Sequence, residues 1–434
     1  MAIRNCHIAT YQRFTKFGTL PYFYINNAVF IHPFFIFTVY NISHDNKFST
    51  NPKDLKMEKK IKIAVIACGN RSRGVVNCLL KASKGNVEIV SVYDPDPAEM
   101  AYACKAWNTD TALHCASSIE AINAPGVEWV MIFSPNAFHK QHILEAFAAN
   151  KDVFTEKPLA TTIEDCKEIY NAYKVSGKLF ATGFVLRYSD VYRKIKSLLD
   201  SGKYGYLMTI EANENIRPAH GGYIMCNWRR KTEISGPHIL EKCCHDLDLI
   251  EWFVGSLPSR VYAMGGRDFF KSENALLEAK YGADKFHCWR DAHKLPSPFH
   301  DDTDLMDNLI SVAEFRNKVR VSFNCTMSNI IPERRMSFHC SEGNIIVDLY
   351  QKLIRCRNIG EEGELIIDFP TSDGHGGGDT IIMEELYDTM ISGTAPKCSG
   401  SEGLESAVYA LALDRAAVTG KVVDLEPVWA SLGR

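Results

Sequence analysis

Ile61-Lys62-Ile63-Ala64-Val65-Ile66-Ala67-Cys68-Gly69-Asn70-Arg71-Ser72-Arg73-Gly74 is the stretch that decides the fold. Its first seven residues are a short, β-branched run, the pattern of a strand buried in a parallel sheet. A glycine-bearing turn follows, and an apolar helical stretch opens at Val75-Val76-Asn77-Cys78-Leu79-Leu80. Strand, turn and helix start together make an anion site, because amides at a helix N-terminus point at a phosphate and the helix dipole favours its charge. The frame G-x-G-x-x-G falls on Ala67, Gly69 and Ser72, so only the central glycine is kept. Alanine and serine are small but lack glycine's backbone freedom. Gly69, Asn70, Arg71 and Ser72 are the candidate residues of this turn. Arg71 and Arg73 either add charge for a phosphate or stand solvated.

The next run, Val87-Glu88-Ile89-Val90-Ser91-Val92-Tyr93, ends at Asp94, twenty-five positions after Gly69. A carboxylate there accepts both ribose hydroxyls of an adenosine moiety and repels a 2′-phosphate, which favours NAD over NADP. The competing role for Asp94 is a helix cap within Asp94-Pro95-Asp96-Pro97. Further strands are expected at Val127–Phe133, which ends at Ser134-Pro135-Asn136, at Asp152–Thr155 and at Leu179–Phe184. Helices are expected through His139, His142 and Leu144 and over Ile163–Val175. Strands and helices alternating at these lengths give a doubly wound parallel sheet, whose ligands bind at the carboxyl ends of the strands. Gly69, Asp94, Ser134 and Lys157 all fall at such ends. The tripeptide Glu156-Lys157-Pro158 follows its strand directly. Proline holds Lys157 extended, and Glu156 is placed to influence the lysine's charge state. A plain strand-to-helix turn with two solvated charges is the alternative.

The chain has 434 residues, 46% hydrophobic and 23% charged, with a formal net charge of −3. Nothing in that balance points to nucleic acid. The fourteen cysteines contain no C-x-x-C pair, which suits reduced thiols in a cytoplasmic-type compartment. Residues 1–56 read as foreign to the rest. Arg4, Arg13 and Lys16 precede an aromatic apolar stretch, and a polar tract leads to Met57. Met57 as the true start, with 1–56 a translated leader, is the expectation. A membrane anchor is the alternative. Residues 57–184 then form the nucleotide-binding domain and 185–434 a second α+β domain. In the second domain the runs Leu207–Glu214, Arg260–Met264, Asn308–Phe315, Val319–Thr326, Arg335–Cys340 and Asn344–Leu349 suggest a large, mostly antiparallel sheet. Arg316-Asn317-Lys318 is its hairpin turn.

A helix is expected from about Ile239 to Val254. On it Glu241, His245, Asp248 and Trp252 share one face, while Leu240, Leu247, Ile250 and Val254 suit packing on a sheet. A histidine flanked by two carboxylates is oriented by them and has its pKa raised. That makes His245 a candidate general base. A lone structural histidine is the alternative.

From about Lys60 to the C-terminus, these residues resemble the Gfo/Idh/MocA family of sugar and cyclitol oxidoreductases. The resemblance implies a Rossmann domain, a Glu-Lys-Pro motif after the fifth strand, and a D-x-G-x-H-x-x-D-like segment facing the nicotinamide. Lys157 matches the motif lysine, His245 the histidine and Asp248 the last aspartate. Glu241 stands in place of an aspartate, and Cys243 in place of the motif glycine. Ser134, Pro135, Asn136 and His139 resemble the family's cofactor-contacting loop, beside Glu156 and Lys157. Arg187 and Tyr188 match a segment near the cleft and, with Trp228 and Arg229, are candidates for the sugar-facing wall, where Asp248 is a further substrate-binding candidate. His375 and Asp379, in the Gly374–Asp379 loop, are expected as turn and cap residues, and no metal is expected.

The activity implied is reversible hydride transfer between NAD and a secondary hydroxyl of a sugar or cyclitol, with Lys157, His245 and Glu241 catalytic. The protein would be a homodimer or homotetramer. A glycosidase that uses bound NAD as a transient oxidant would need the same residues. A non-catalytic NAD- and sugar-sensing regulator is the third reading. Substrate choice would rest on loops such as Asn215–Lys231 and Lys271–Asp304.

Overall fold

The computed structural model describes residues 23–25, 28–30, 60–289, 294–369 and 375–434. The chain divides into two compact units, residues 1–57 and 58–434. In the first, β1 (Phe23–Ile25) and β2 (Ala28–Phe30) pair antiparallel. The remainder of the leader expected over 1–56 lies outside the described residues.

In the second unit, six strands form a parallel sheet: β3 (Ile61–Ile66), β4 (Val87–Tyr93), β5 (Leu113–His114), β6 (Trp129–Ile132), β7 (Asp152–Thr155) and β8 (Phe180–Thr182). Their order is β5-β4-β3-β6-β7-β8, so the winding reverses between β3 and β6. Every residue of β6 and the last four of β3 are buried, because helices cover both faces. The strand expected over 127–133 shortens to Trp129–Ile132, and that over 179–184 to Phe180–Thr182. The anticipated helix after Thr162 is present as Ile163–Ser176, capped by the Thr162 side chain on the Asp165 amide.

The second sheet has nine strands: β9 (Leu207–Asn215), β10 (Pro258–Gly266), β11 (Asn308–Phe315), β12 (Arg320–Thr326), β13 (Glu333–Cys340), β14 (Gly343–Asp348), β15 (Leu353–Asn358), β16 (Leu365–Asp368) and β17 (Val423–Asp424). The order is β16-β15-β14-β13-β9-β12-β11-β10-β17, antiparallel except where β9 runs parallel to β12. The turn between β11 and β12 has Lys318 in the left-handed region, at φ 71°. Along β11, buried residues alternate with less buried ones, the mark of a sheet with one covered face. The helices Cys244–Val254 and Gly400–Thr419 supply Leu247, Ile250, Leu404 and Val408 to the same core as Val261, Ala313 and Phe323. Ile216, Phe270, Phe286 and Phe299 form a separate small core under the loops that follow β9 and β10.

One expected element is corrected. The helix anticipated from Ile239 to Val254 is a short turn, His238–Glu241, followed by a helix that starts only at Cys244. Lys242, between the two, turns inward to Glu214 of β9 at 3.1 Å. The continuous face proposed for Glu241, His245, Asp248 and Trp252 is therefore broken after its first member.

Candidate active site

The nucleotide turn is built by backbone more than by side chains. Ala67 takes the left-handed conformation, φ 68°, where an alanine is strained by roughly 1–2 kcal/mol. It thus occupies a glycine's geometry without being one. Gly69 is the N-cap of the helix Asn70–Ala82 and makes no side-chain cap, and a Cβ added there would meet open space. Asp94 sits at the end of β4, its Oδ2 accepting from the Cys68 amide at 2.8 Å and its Oδ1 from the Asp96 amide at 2.9 Å. An open glycine cradle with a carboxylate at the next strand end fits a dinucleotide.

The side chains nearby are committed elsewhere. Ser72 is fully buried and donates to the Gly69 carbonyl at 2.8 Å. Arg73 donates to the Cys68 carbonyl and pairs with Glu99 at 2.6 Å. Arg71, expected at a phosphate, bridges two carboxylates instead: its Nε meets Glu156 and its Nη2 meets Asp379, each at 2.7 Å. Both partners neutralise the charge that a phosphate would have used.

Glu156-Lys157-Pro158 lies where β7 ends. Gly183 packs close beside it, and a Cβ there would stand 2.9 Å from a Glu156 carboxylate oxygen. The Lys157 ammonium donates to the backbone carbonyl of Glu241 at 2.6 Å. The Glu241 carboxylate accepts from Arg229 Nε at 2.7 Å. Burial opposes its ionisation, but Lys157 and Arg229 overcome that and hold it below the usual carboxylate range.

His245 is buried, and its Nδ1 lacks a hydrogen-bond partner among the described residues. Phe184 meets the ring edge-on at 6.0 Å, and the His375 ring lies 5.7 Å away. Burial, then the charges of Lys157 and His375, push its pKa well below the ordinary histidine range. This reverses the expected upward shift. Neither flanking carboxylate reaches the ring: Glu241 is held by Arg229, and Asp248 pairs with Arg187 at 2.8 Å. Burial raises Asp248 to about 6, and Arg187 only partly offsets it. The result for His245 is a neutral imidazole with a free nitrogen beside a lysine.

The family profile described as the oxidoreductase family with an NAD-binding Rossmann fold matches residues 47–184, and its C-terminal alpha/beta domain matches 196–425. The chain belongs to the Gfo/Idh/MocA oxidoreductase family. An oxidoreductase of Bacillus subtilis (strain 168) is 28% identical over 215 residues, 48% of this chain and 50% of that protein. An inositol 2-dehydrogenase of Ralstonia nicotianae (strain ATCC BAA-1114 / GMI1000) is 33% identical over 197 residues, 45% of this chain and 55% of that protein. The chain therefore spans about half the length of the curated relatives it matches. A solved levoglucosan dehydrogenase, in complex with NADH and levoglucosan, shares the fold with a TM-score of 0.71 at 17% identity, covering 85% of this chain and 100% of that one.

In this Gfo/Idh/MocA oxidoreductase, the side chains of the loop after β6 tie neighbouring segments together. Pro135 precedes the short turn Asn136–Phe138. Ser134 Oγ lies 2.9 Å from His142 Nδ1, and Asn136 donates to the Ser235 carbonyl at 2.7 Å. His139 reaches the Pro158 carbonyl at 2.7 Å and the Ser134 carbonyl at 2.9 Å, so it fixes the turn that carries Lys157. Tyr188, expected on the sugar-facing wall, is buried, and its hydroxyl donates to Glu385 on the helix Gly378–Ser392 at 3.3 Å. The guanidinium of Arg229 stacks 4.2 Å from the Trp228 ring, which engages one indole face. Arg187 stands over Trp252 at 5.7 Å.

His375 and Asp379 exceed their expected turn and cap roles. His375 Nδ1 meets Asp379 at 2.9 Å, which continues the chain Asp379–Arg71–Glu156 to the motif lysine's neighbour. The sequence signal for this was a histidine and an aspartate four apart in a glycine loop, which alone does not separate it from a helix start.

Proposed function

We propose that the protein transfers a hydride between NAD and a secondary hydroxyl of a sugar or cyclitol. The observation that carries this is a buried His245 whose Nδ1 lacks a partner among the described residues, four residues beyond the Glu241 carbonyl that receives the Lys157 ammonium, at the carboxyl edge of a doubly wound sheet. The fold's NAD-binding character and the inositol 2-dehydrogenase relative support the substrate class. NAD, when bound, supplies the acceptor for the hydride that leaves the carbinol carbon. The Gly69 turn and Asp94 hold it. Lys157 aims its ammonium at the substrate oxygen and stabilises the charge that develops there. His245 takes the hydroxyl proton, for which a neutral ring is required. Arg229, anchored by Glu241, and Arg187, anchored by Asp248, set cationic donors near the polyol. Asp246, Lys242, Glu214 and Arg334 form a buried ionic cluster under the segment and hold it to the sheet.

A panel of sugars and cyclitols scored for NADH fluorescence tests this. At least one member yields steady NADH, and His245→Gln lowers kcat/KM by about 10²–10⁴-fold. Glycoside cleavage without net NADH, or undiminished turnover in the variant, overturns it.

We also propose that a second copy covers the open face of the nine-stranded sheet, where Met264, Ile310 and Val312 are exposed. A cytoplasmic location is supported by the free thiols among the described residues. Among those residues, no helix is long and apolar enough to cross a membrane.

A further inference from the structure

Behind the catalytic segment, on its sheet side, three potential ligands meet. One nitrogen of His238 and the sulfurs of Cys243 and Cys325 all lie within 4.8 Å of one another, and all three residues are buried. His238 is 3% exposed, and neither ring nitrogen has a hydrogen-bond partner among the described residues. Imidazole nitrogens that deep are ordinarily paired, since a buried polar atom left unmet forfeits its hydration without return. His238 and Cys325 line a small cavity of about 10 Å³ with Asp414, which is room for one ion or one water.

We propose that His238, Cys243 and Cys325 bind one zinc-type divalent cation, which has a structural role. Two thiolates and a neutral imidazole are a donor set that zinc takes in tetrahedral sites. Bond lengths of about 2.3 Å to sulfur and about 2.0 Å to nitrogen put tetrahedral ligand atoms about 3.5–3.8 Å apart. The observed spread is within a rotamer adjustment of that. Two thiolates cancel the charge of the ion, so binding releases two thiol protons to solvent and leaves no net charge in the core. A water completes the shell.

The ligands come from two elements. His238 and Cys243 bracket the short turn that carries Glu241, and Cys325 lies in β12. A metal there would clamp to the sheet the segment whose backbone carbonyl receives Lys157. Cys243 also stands where the resembling motif has glycine, so the site is a property of this chain's own residues. The sequence holds no C-x-x-C spacing, and the second sulfur is eighty-two positions away. The fold brings the two thiols together.

The test uses the full chain, purified without chelator and analysed for metal, then stripped and reloaded with Co²⁺. Stoichiometric zinc, and a cobalt form with thiolate-to-metal charge-transfer bands and tetrahedral ligand-field bands, are expected. Cys325→Ser loses those bands and weakens cobalt binding by more than the about 10–100-fold typical of losing an outer-shell partner. Wild-type measurements stand on their own if that variant fails to fold. Sub-stoichiometric metal with no cobalt spectrum, bands that persist in a folded Cys325→Ser protein, or a Cys243–Cys325 disulfide found by mass spectrometry would each overturn the proposal.

Discussion

Replacing Lys157 with alanine is expected to lower kcat by about 10²–10³-fold, the loss seen when one preorganised donor to a developing oxyanion is removed. NADH affinity, read by fluorescence titration, stays close to wild type, because the Gly69 turn and Asp94 do not depend on this side chain. Two further effects mark the loss as chemical rather than structural. The Glu241 carboxylate keeps its 2.7 Å contact with Arg229, so the segment remains anchored. His245 also loses a neighbouring cation that had depressed its pKa. Its ring therefore protonates at higher pH, and the acid limb of the residual pH–rate profile moves up. Full turnover, or an acid limb that moves down, contradicts the role.

The largest stability effect is expected at Arg334. This residue is 2% exposed, and its Nε and Nη2 clasp the two Asp246 oxygens at 2.8 Å each. Its Nε is also ion-paired with Glu214 at 3.0 Å. Asp246 and Glu214 are both fully buried. Arg334→Met preserves apolar volume but leaves two carboxylates in the core to share Lys242. Breaking a buried pair from one side costs about 3–5 kcal/mol, because the remaining charge is uncompensated. A denaturation midpoint lowered to match is expected, measured on the full chain. An unchanged midpoint would show that the cluster contributes little. Asp246 directly follows His245, so the variant is expected to lose turnover even where it remains folded.

Much of this architecture was legible because buried parallel strands leave an unambiguous pattern. Ile61–Ile66 and Val87–Tyr93 are rich in β-branched residues, four of six and four of seven, and they place Gly69 and Asp94 at adjacent strand ends. β11 was read residue for residue from its alternation and its hairpin turn. The edge strands β16 and β17 were missed, since exposed edges need no apolar face, and so was β15 beside β16, whose buried residues are only Ile354 and Cys356. The helix break at Lys242–Cys243 was also hidden. Helical periodicity runs through it, and only the inward ion pair to Glu214 reveals why the chain departs.

The candidate site was legible in its members but not in its wiring. Lys157 and His245 are marked by local context. Arg71 is another matter: a basic residue in a glycine turn suggests a phosphate, while its second partner, Asp379, lies 308 positions away. Glu241 and Asp248 likewise share helical spacing with His245, yet each is claimed by an arginine. Nearest-neighbour geometry in sequence cannot reveal which of several cations will reach a carboxylate first. That choice depends on packing between segments far apart in the chain.

Transfer of deuterium from a labelled carbinol carbon to the nicotinamide ring tests hydride transfer most directly, using the first polyol that yields NADH. Proton NMR of the recovered cofactor is expected to show the label on the nicotinamide C4 in every NADH formed, with one ketone made per NADH. Label released to water, or substrate consumed with no net NADH, would contradict a dehydrogenase.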